Sequence, residues 1–80
     1  MSSPFGEMAH NRVMETFGTR LRNIRTQKGL SLQKLAEFIK SSDATISAWE
    51  RDVKRPHFDM LIALADFFDE SLDYIMRGKI

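Results

Sequence analysis

The residues able to act on a partner lie close together, from Ser42 to Ala48. In the run Ser42-Asp43-Ala44-Thr45-Ile46-Ser47-Ala48-Trp49-Glu50, Ile46 and Trp49 stand three apart and form an apolar inner stripe. The other positions make an outer face of short side chains, which lets a helix backbone approach another surface closely. Ser and Thr hydroxyls donate and accept, and an ionised Asp accepts only. This is the chemistry of recognition, not of bond making. No nucleophile is paired with a base, no glycine-rich loop is present, and no carboxylates converge. His10 and His57 stand alone, without metal-ligand spacing. The chain contains no cysteine, so thiolate metal sites and disulfides are excluded. These absences leave an enzyme reading without support and imply no cofactor.

The elements that position this face are helices. From Leu30 to Glu50 the chain reads as two short helices joined by Lys40-Ser41-Ser42. Leu32, Leu35, Ala36 and Ile39 give the first one an apolar face. Ser31 is its N-cap, with Leu30 and Leu35 as a hydrophobic staple. Ser42 caps the second, about Asp43 to Arg51, and Asp43 suits its positive end. Two helices this close, with small Ala36 where they cross, form a scaffold that sets a helix in a DNA groove.

Upstream, Val13, Phe17, Leu21 and Ile24 recur every three or four residues. Their stripe starts a helix at about Arg12. Gly18 inside it costs about 1 kcal/mol relative to Ala and argues for a start nearer Phe17. Gly29 supplies the stop. Downstream, Asp52 to Pro56 is a loop. A helix over about Phe58 to Phe68 turns Leu61, Leu64, Ala65 and Phe68 inward. Ser71 caps a fifth, Leu72 to Arg77, ended by Gly78. No strand is convincing. The expectation is a compact all-α, five-helix domain over residues 12–80, preceded by a flexible tail at 1–11, where Pro4, Gly6 and the serines break any period.

Eighty residues make one small domain with a marginal core. No apolar run suits a signal peptide or a membrane span, so a soluble cytoplasmic protein without membrane contact is expected. Net charge is +1, but it is unevenly spread. Residues 12–28 carry Arg12, Arg20, Arg22, Arg25 and Lys28 against Glu15. Residues 57–80 carry Asp59, Asp66, Asp69, Glu70 and Asp73 against Arg77 and Lys79. A basic front attracts phosphates and an acidic end stays away from them.

Taken in order, the residues resemble the XRE/Cro-type helix-turn-helix family of lambdoid phage repressors and Cro proteins. The resemblance runs from about 17 to 78. It is carried by Arg25 and Gly29, Leu30-Ser31, Leu35-Ala36, Thr45-Ile46-Ser47, Trp49-Glu50-Arg51, Lys54-Arg55-Pro56, Leu61, Leu64-Ala65 and Ser71-Leu72-Asp73-Tyr74-Ile75. It implies a third helix lying in the major groove of double-stranded DNA, with Ser42, Asp43, Ala44, Thr45, Ser47 and Ala48 at the base edges. Lys54 and Arg55, Lys40 in the turn, and the first amides of the second helix would meet phosphates. Arg20, Arg22 and Lys28 are weaker candidates, as exposed helix charges. Arg25 and Glu50 would form a salt bridge bracing the third helix, and Arg25 could touch a phosphate with its spare donors. Lys40 and Asp52 stand where the family often has Gly; a non-Gly residue in a left-handed conformation costs about 1–2 kcal/mol. Trp49 belongs to the core by its spacing from Ile46.

In the resembling repressors the C-terminal end forms a two-fold contact. Here Phe67, Leu72, Tyr74 and Ile75 would form it, giving a homodimer on a pseudo-palindromic operator. The function implied is that of a small sequence-specific transcriptional regulator, a repressor of phage or prophage type. An antitoxin that binds DNA and a toxin partner, and a helical protein-interaction module without DNA binding, are the alternatives.

Overall fold

A computed structural model describes residues 15–78. The expected tail at 1–11, Arg12, Val13, Lys79 and Ile80 lie outside the described residues. Those described form five helices: α1 Phe17–Gln27, α2 Leu32–Ile39, α3 Asp43–Glu50, α4 Phe58–Phe68 and α5 Leu72–Arg77. No strand occurs among them.

Capping side chains begin four of the helices. Thr16, Ser31, Ser42 and Ser71 each accept a hydrogen bond from the amide three residues on. At α1 the exchange is reciprocal, since the Thr19 hydroxyl accepts from the Thr16 amide at 2.8 Å. This capping box starts α1 at Phe17 and not at Arg12, because Glu15 and Thr16 precede it in non-helical conformation. The α2–α3 turn is left-handed at Lys40, with φ 60° and ψ 51°. Asp52 and Asp69 also hold positive φ.

The helices enclose one core. Leu21 and Ile24 of α1, Leu35 of α2, Ile46 and Trp49 of α3, Leu64 and Phe68 of α4, and Ile75 of α5 are all buried. α1 packs against α3 and α5, α2 against α3 and α4, and α4 against α5. Ala36 is buried in the core, and its carbonyl accepts the Ser41 amide of the α2–α3 turn at 2.8 Å.

Ile75 and Arg20 depart from the sequence-based expectation. Ile75 is buried in the core at 2 % exposure, so it is not free for a subunit contact. Of the expected interface only Phe67 is exposed, while Leu72 and Tyr74 are partly covered. Arg20, expected on an exposed helix face, is 5 % exposed. Its Nε donates to the Ile75 carbonyl at 3.1 Å and its Nη2 to the Met76 carbonyl at 2.8 Å. Carbonyls in the last turn of a helix lack intrahelical donors, and Arg20 supplies them for α5. It is a cap, not a phosphate contact.

Candidate nucleic-acid interface

α3 divides by face as its sequence requires. Ile46 and Trp49 point into the core, while Ser42, Asp43 and Ala44 are exposed and Thr45 and Ser47 partly so. Ser42 Oγ accepts from the Thr45 amide at 3.1 Å and donates to Thr45 Oγ1 at 2.9 Å. Ala48 differs from its expected placement. It is buried, because the chain beyond α3 folds back onto it and the Val53 and Lys54 amides bond to its carbonyl at 2.9 and 3.3 Å. Its methyl therefore does not belong to the open face.

Sequence reasoning missed Arg51. It is exposed, and its Nε donates to Ser47 Oγ at 3.2 Å. The signal was available in the i, i+4 spacing, which places both residues on one side of the helix. The Ser47 hydroxyl thereby aims a guanidinium along the outer side of α3.

The bracing of α3 comes from α1. Arg25 Nε lies 2.6 Å from Glu50 Oε2 and Nη2 lies 3.1 Å from Oε1. Nη1 donates to the Leu30 carbonyl at 2.7 Å. The fork thus joins the end of α3 to the α1–α2 turn. The two side chains are only 11 % and 7 % exposed. Arg25 is therefore a brace: three of its five N–H groups are engaged inside the protein. A second link holds the same end. Asp52, just past α3, accepts from the Gly18 amide at 3.0 Å and from the Thr16 hydroxyl.

Cations border this face in the chain. Lys40 precedes α3, and Lys54 and Arg55 follow it, all exposed. Arg22 and Lys28 are also exposed on or just beyond α1. At the start of α2, Ser31 accepts from the Lys34 amide at 3.0 Å, and helix geometry leaves the Leu32 and Gln33 amides without intrahelical acceptors. Such amides suit an anion. No group of three or more His, Asp or Glu able to hold a metal converges among the described residues. Nor is any helix among them long and apolar enough to cross a membrane.

The arrangement has counterparts. A family model described as helix-turn-helix matches residues 21–75. The HTH-type transcriptional regulator YobD of Bacillus subtilis, itself uncharacterized, is 37 % identical over 57 residues, which are 71 % of this chain and 51 % of YobD. The HTH-type transcriptional activator BcrR of Enterococcus faecalis is 32 % identical over 63 residues, 79 % of this chain and 31 % of BcrR. The chain thus spans about half, or less, of these relatives. Among solved structures, the P22 c2 repressor in complex with a synthetic operator superposes with a TM-score of 0.78 at 29 % identity, covering 82 % of this chain and all of that one.

Proposed function

The chain belongs to the helix-turn-helix family, and from that premise we propose that it binds double-stranded DNA sequence-specifically as a transcriptional regulator, with α3 in the major groove. One observation carries the reading. α3 is braced at its C-terminal end through Glu50 and Arg25, while its Ser42–Thr45 side stays open, preceded by Lys40 and followed by Lys54 and Arg55. The likeness to a repressor bound to its operator supports it, and a repressor of phage or prophage type is the form proposed.

The open side then sets the readout. The Thr45 and Ser47 hydroxyls meet base donors or acceptors, the Ala44 methyl packs on a thymine methyl, and Asp43 accepts from a cytosine amine. Asp43–Glu50 holds no Arg, Asn or Gln for bidentate pairing, and the nearest guanidinium, Arg51, is held at Ser47. Sequence preference therefore leans on methyl contacts, bridging water and DNA shape. Lys40, Lys54, Arg55 and the first α2 amides take the phosphates.

A homodimer completes the proposal. Two copies joined through Phe67, Leu72 and Tyr74 would set two α3 helices about 34 Å apart over a pseudo-palindromic site. A cytoplasmic location is part of the same proposal.

Fluorescence anisotropy with operator-length duplexes across a salt series tests the reading. A saturable complex that weakens steeply with salt supports it. No complex at any salt, with the helices intact, would overturn it and leave a helical protein-interaction module.

A further inference from the structure

Asp52 has no part in the DNA contacts proposed above. Its backbone is left-handed, with φ 60°, a conformation that a non-Gly residue holds at a cost. Its carboxylate bonds to residues 34 and 36 positions away. The Asp52 carboxylate spans the junction between α3 and the N-terminus of α1. Oδ1 takes the Gly18 amide at 3.0 Å and Oδ2 takes the Thr16 hydroxyl. α1 has no acidic residue in its own first turn, so Asp52 supplies the anion its positive end favours.

Gly18 makes the approach possible. A Cβ there would lie 2.7 Å from Asp52 Oδ2 and 2.7 Å from the Glu50 carbonyl carbon, and would overlap the Glu50 oxygen. The first turn of α1 is therefore seated against the last turn of α3. Seven residues further along α1, a distance of about 10.5 Å, Arg25 holds the Glu50 carboxylate. Ile46 and Trp49 anchor α3 in the core, and these two contacts seat its C-terminal end against α1.

We propose that Asp52 is a positioning residue for DNA recognition. By tying the end of α3 to the first turn of α1, it sets the tilt of α3 about the Arg25–Glu50 contact. The proposal rests on the DNA-binding reading. It separates two properties that a phosphate contact would move together. The cations remain when Asp52 is replaced, so non-specific binding stays; the base-reading side loses its aim, so discrimination falls.

The test compares D52G and D52N with the parent chain on a duplex selected from a random pool and on a scrambled duplex. Gly adopts φ 60° without strain, so D52G removes the carboxylate without straining the turn. Asn tolerates the same backbone and keeps an acceptor for Gly18. D52G is expected to lose about tenfold in the ratio of specific to scrambled affinity. Its scrambled affinity should not fall, since only a negative charge is lost beside the cations, and the discrimination of D52N should stay within about threefold of the parent. In the DNA-free protein, the Gly18 amide should exchange faster in D52G than in the parent. A D52G chain that discriminates as the parent does, or whose Gly18 amide exchanges no faster, overturns the proposal. A parent chain that binds no duplex fails at the earlier step and is distinguished by that.

Discussion

Removing Arg25 is the perturbation with the largest expected consequence. Its guanidinium faces a Glu50 carboxylate whose side chain is 7 % exposed, and it also serves the Leu30 carbonyl. Arg25→Ala leaves that carboxylate buried without a counter-charge, a situation that costs about 3–5 kcal/mol. The orphaned carbonyl adds to the loss, at about 1 kcal/mol or more. A chain of 80 residues has a total stability of about 4–12 kcal/mol at the usual per-residue value. The variant should therefore lose about a third or more of its stability and unfold at a much lower urea concentration. Arg25→Lys keeps the charge but loses the fork and the second acceptor, and should cost about half as much. Glu50→Ala removes the acid and leaves Arg25 unpaired. Replacing both by Met and Leu of similar volume should recover most of the loss, because a buried pair exchanged for packed apolar groups is close to neutral. Urea denaturation followed by circular dichroism measures all four variants, and the cycle of Arg25→Ala with Glu50→Ala gives the coupling. Arg25→Ala losses below about 1 kcal/mol, with no coupling, are what an exposed pair would give and would refute the reasoning.

The other predictions concern the less visible interactions. Gly18→Ala gains about 1 kcal/mol of helix propensity but drives a Cβ into the Glu50 carbonyl; a net loss of about 1–3 kcal/mol should appear as a lower urea midpoint. Arg20→Met fills much of the same space and leaves the Ile75 and Met76 carbonyls without their donors; the expected cost is about 1–3 kcal/mol, seen as earlier amide exchange in α5. Replacing Lys54 and Arg55 by Gln should weaken binding to all duplexes alike and make the salt slope shallower by about 0.9 for each phosphate no longer neutralised. Light scattering at micromolar concentration should show a species of twice the 9.3 kDa chain mass, and a Phe67→Glu variant should be monomeric.

Local features were legible in the sequence and distant pairings were not. Ser31, Ser42 and Ser71 announce their helices because a cap acts three residues away. The two-helix scaffold and the inward Ile46 and Trp49 follow from spacing alone. Arg20 reads as one more exposed helix charge, since its acceptors lie 55 and 56 residues away. Gly18 reads as a weak point in a helix, although the missing Cβ is what admits Glu50 and Asp52. Ala48 is covered by the turn that follows it, and Ile75 fills the core under Arg20; periodicity says which residues share a face but not what covers that face. Arg51 was visible as an i+4 partner of Ser47, but it sits at the C-cap, where the helical pattern fades.

The most direct measurement is a selection of duplexes from a random pool by the folded parent chain, followed by sequencing. Enrichment of a motif in two half-sites about one helical turn apart, abolished when Ala44 and Thr45 are replaced by bulky side chains in a protein that still folds, is the expected result. A folded protein that leaves the pool unenriched over several rounds would contradict the claim that α3 reads DNA.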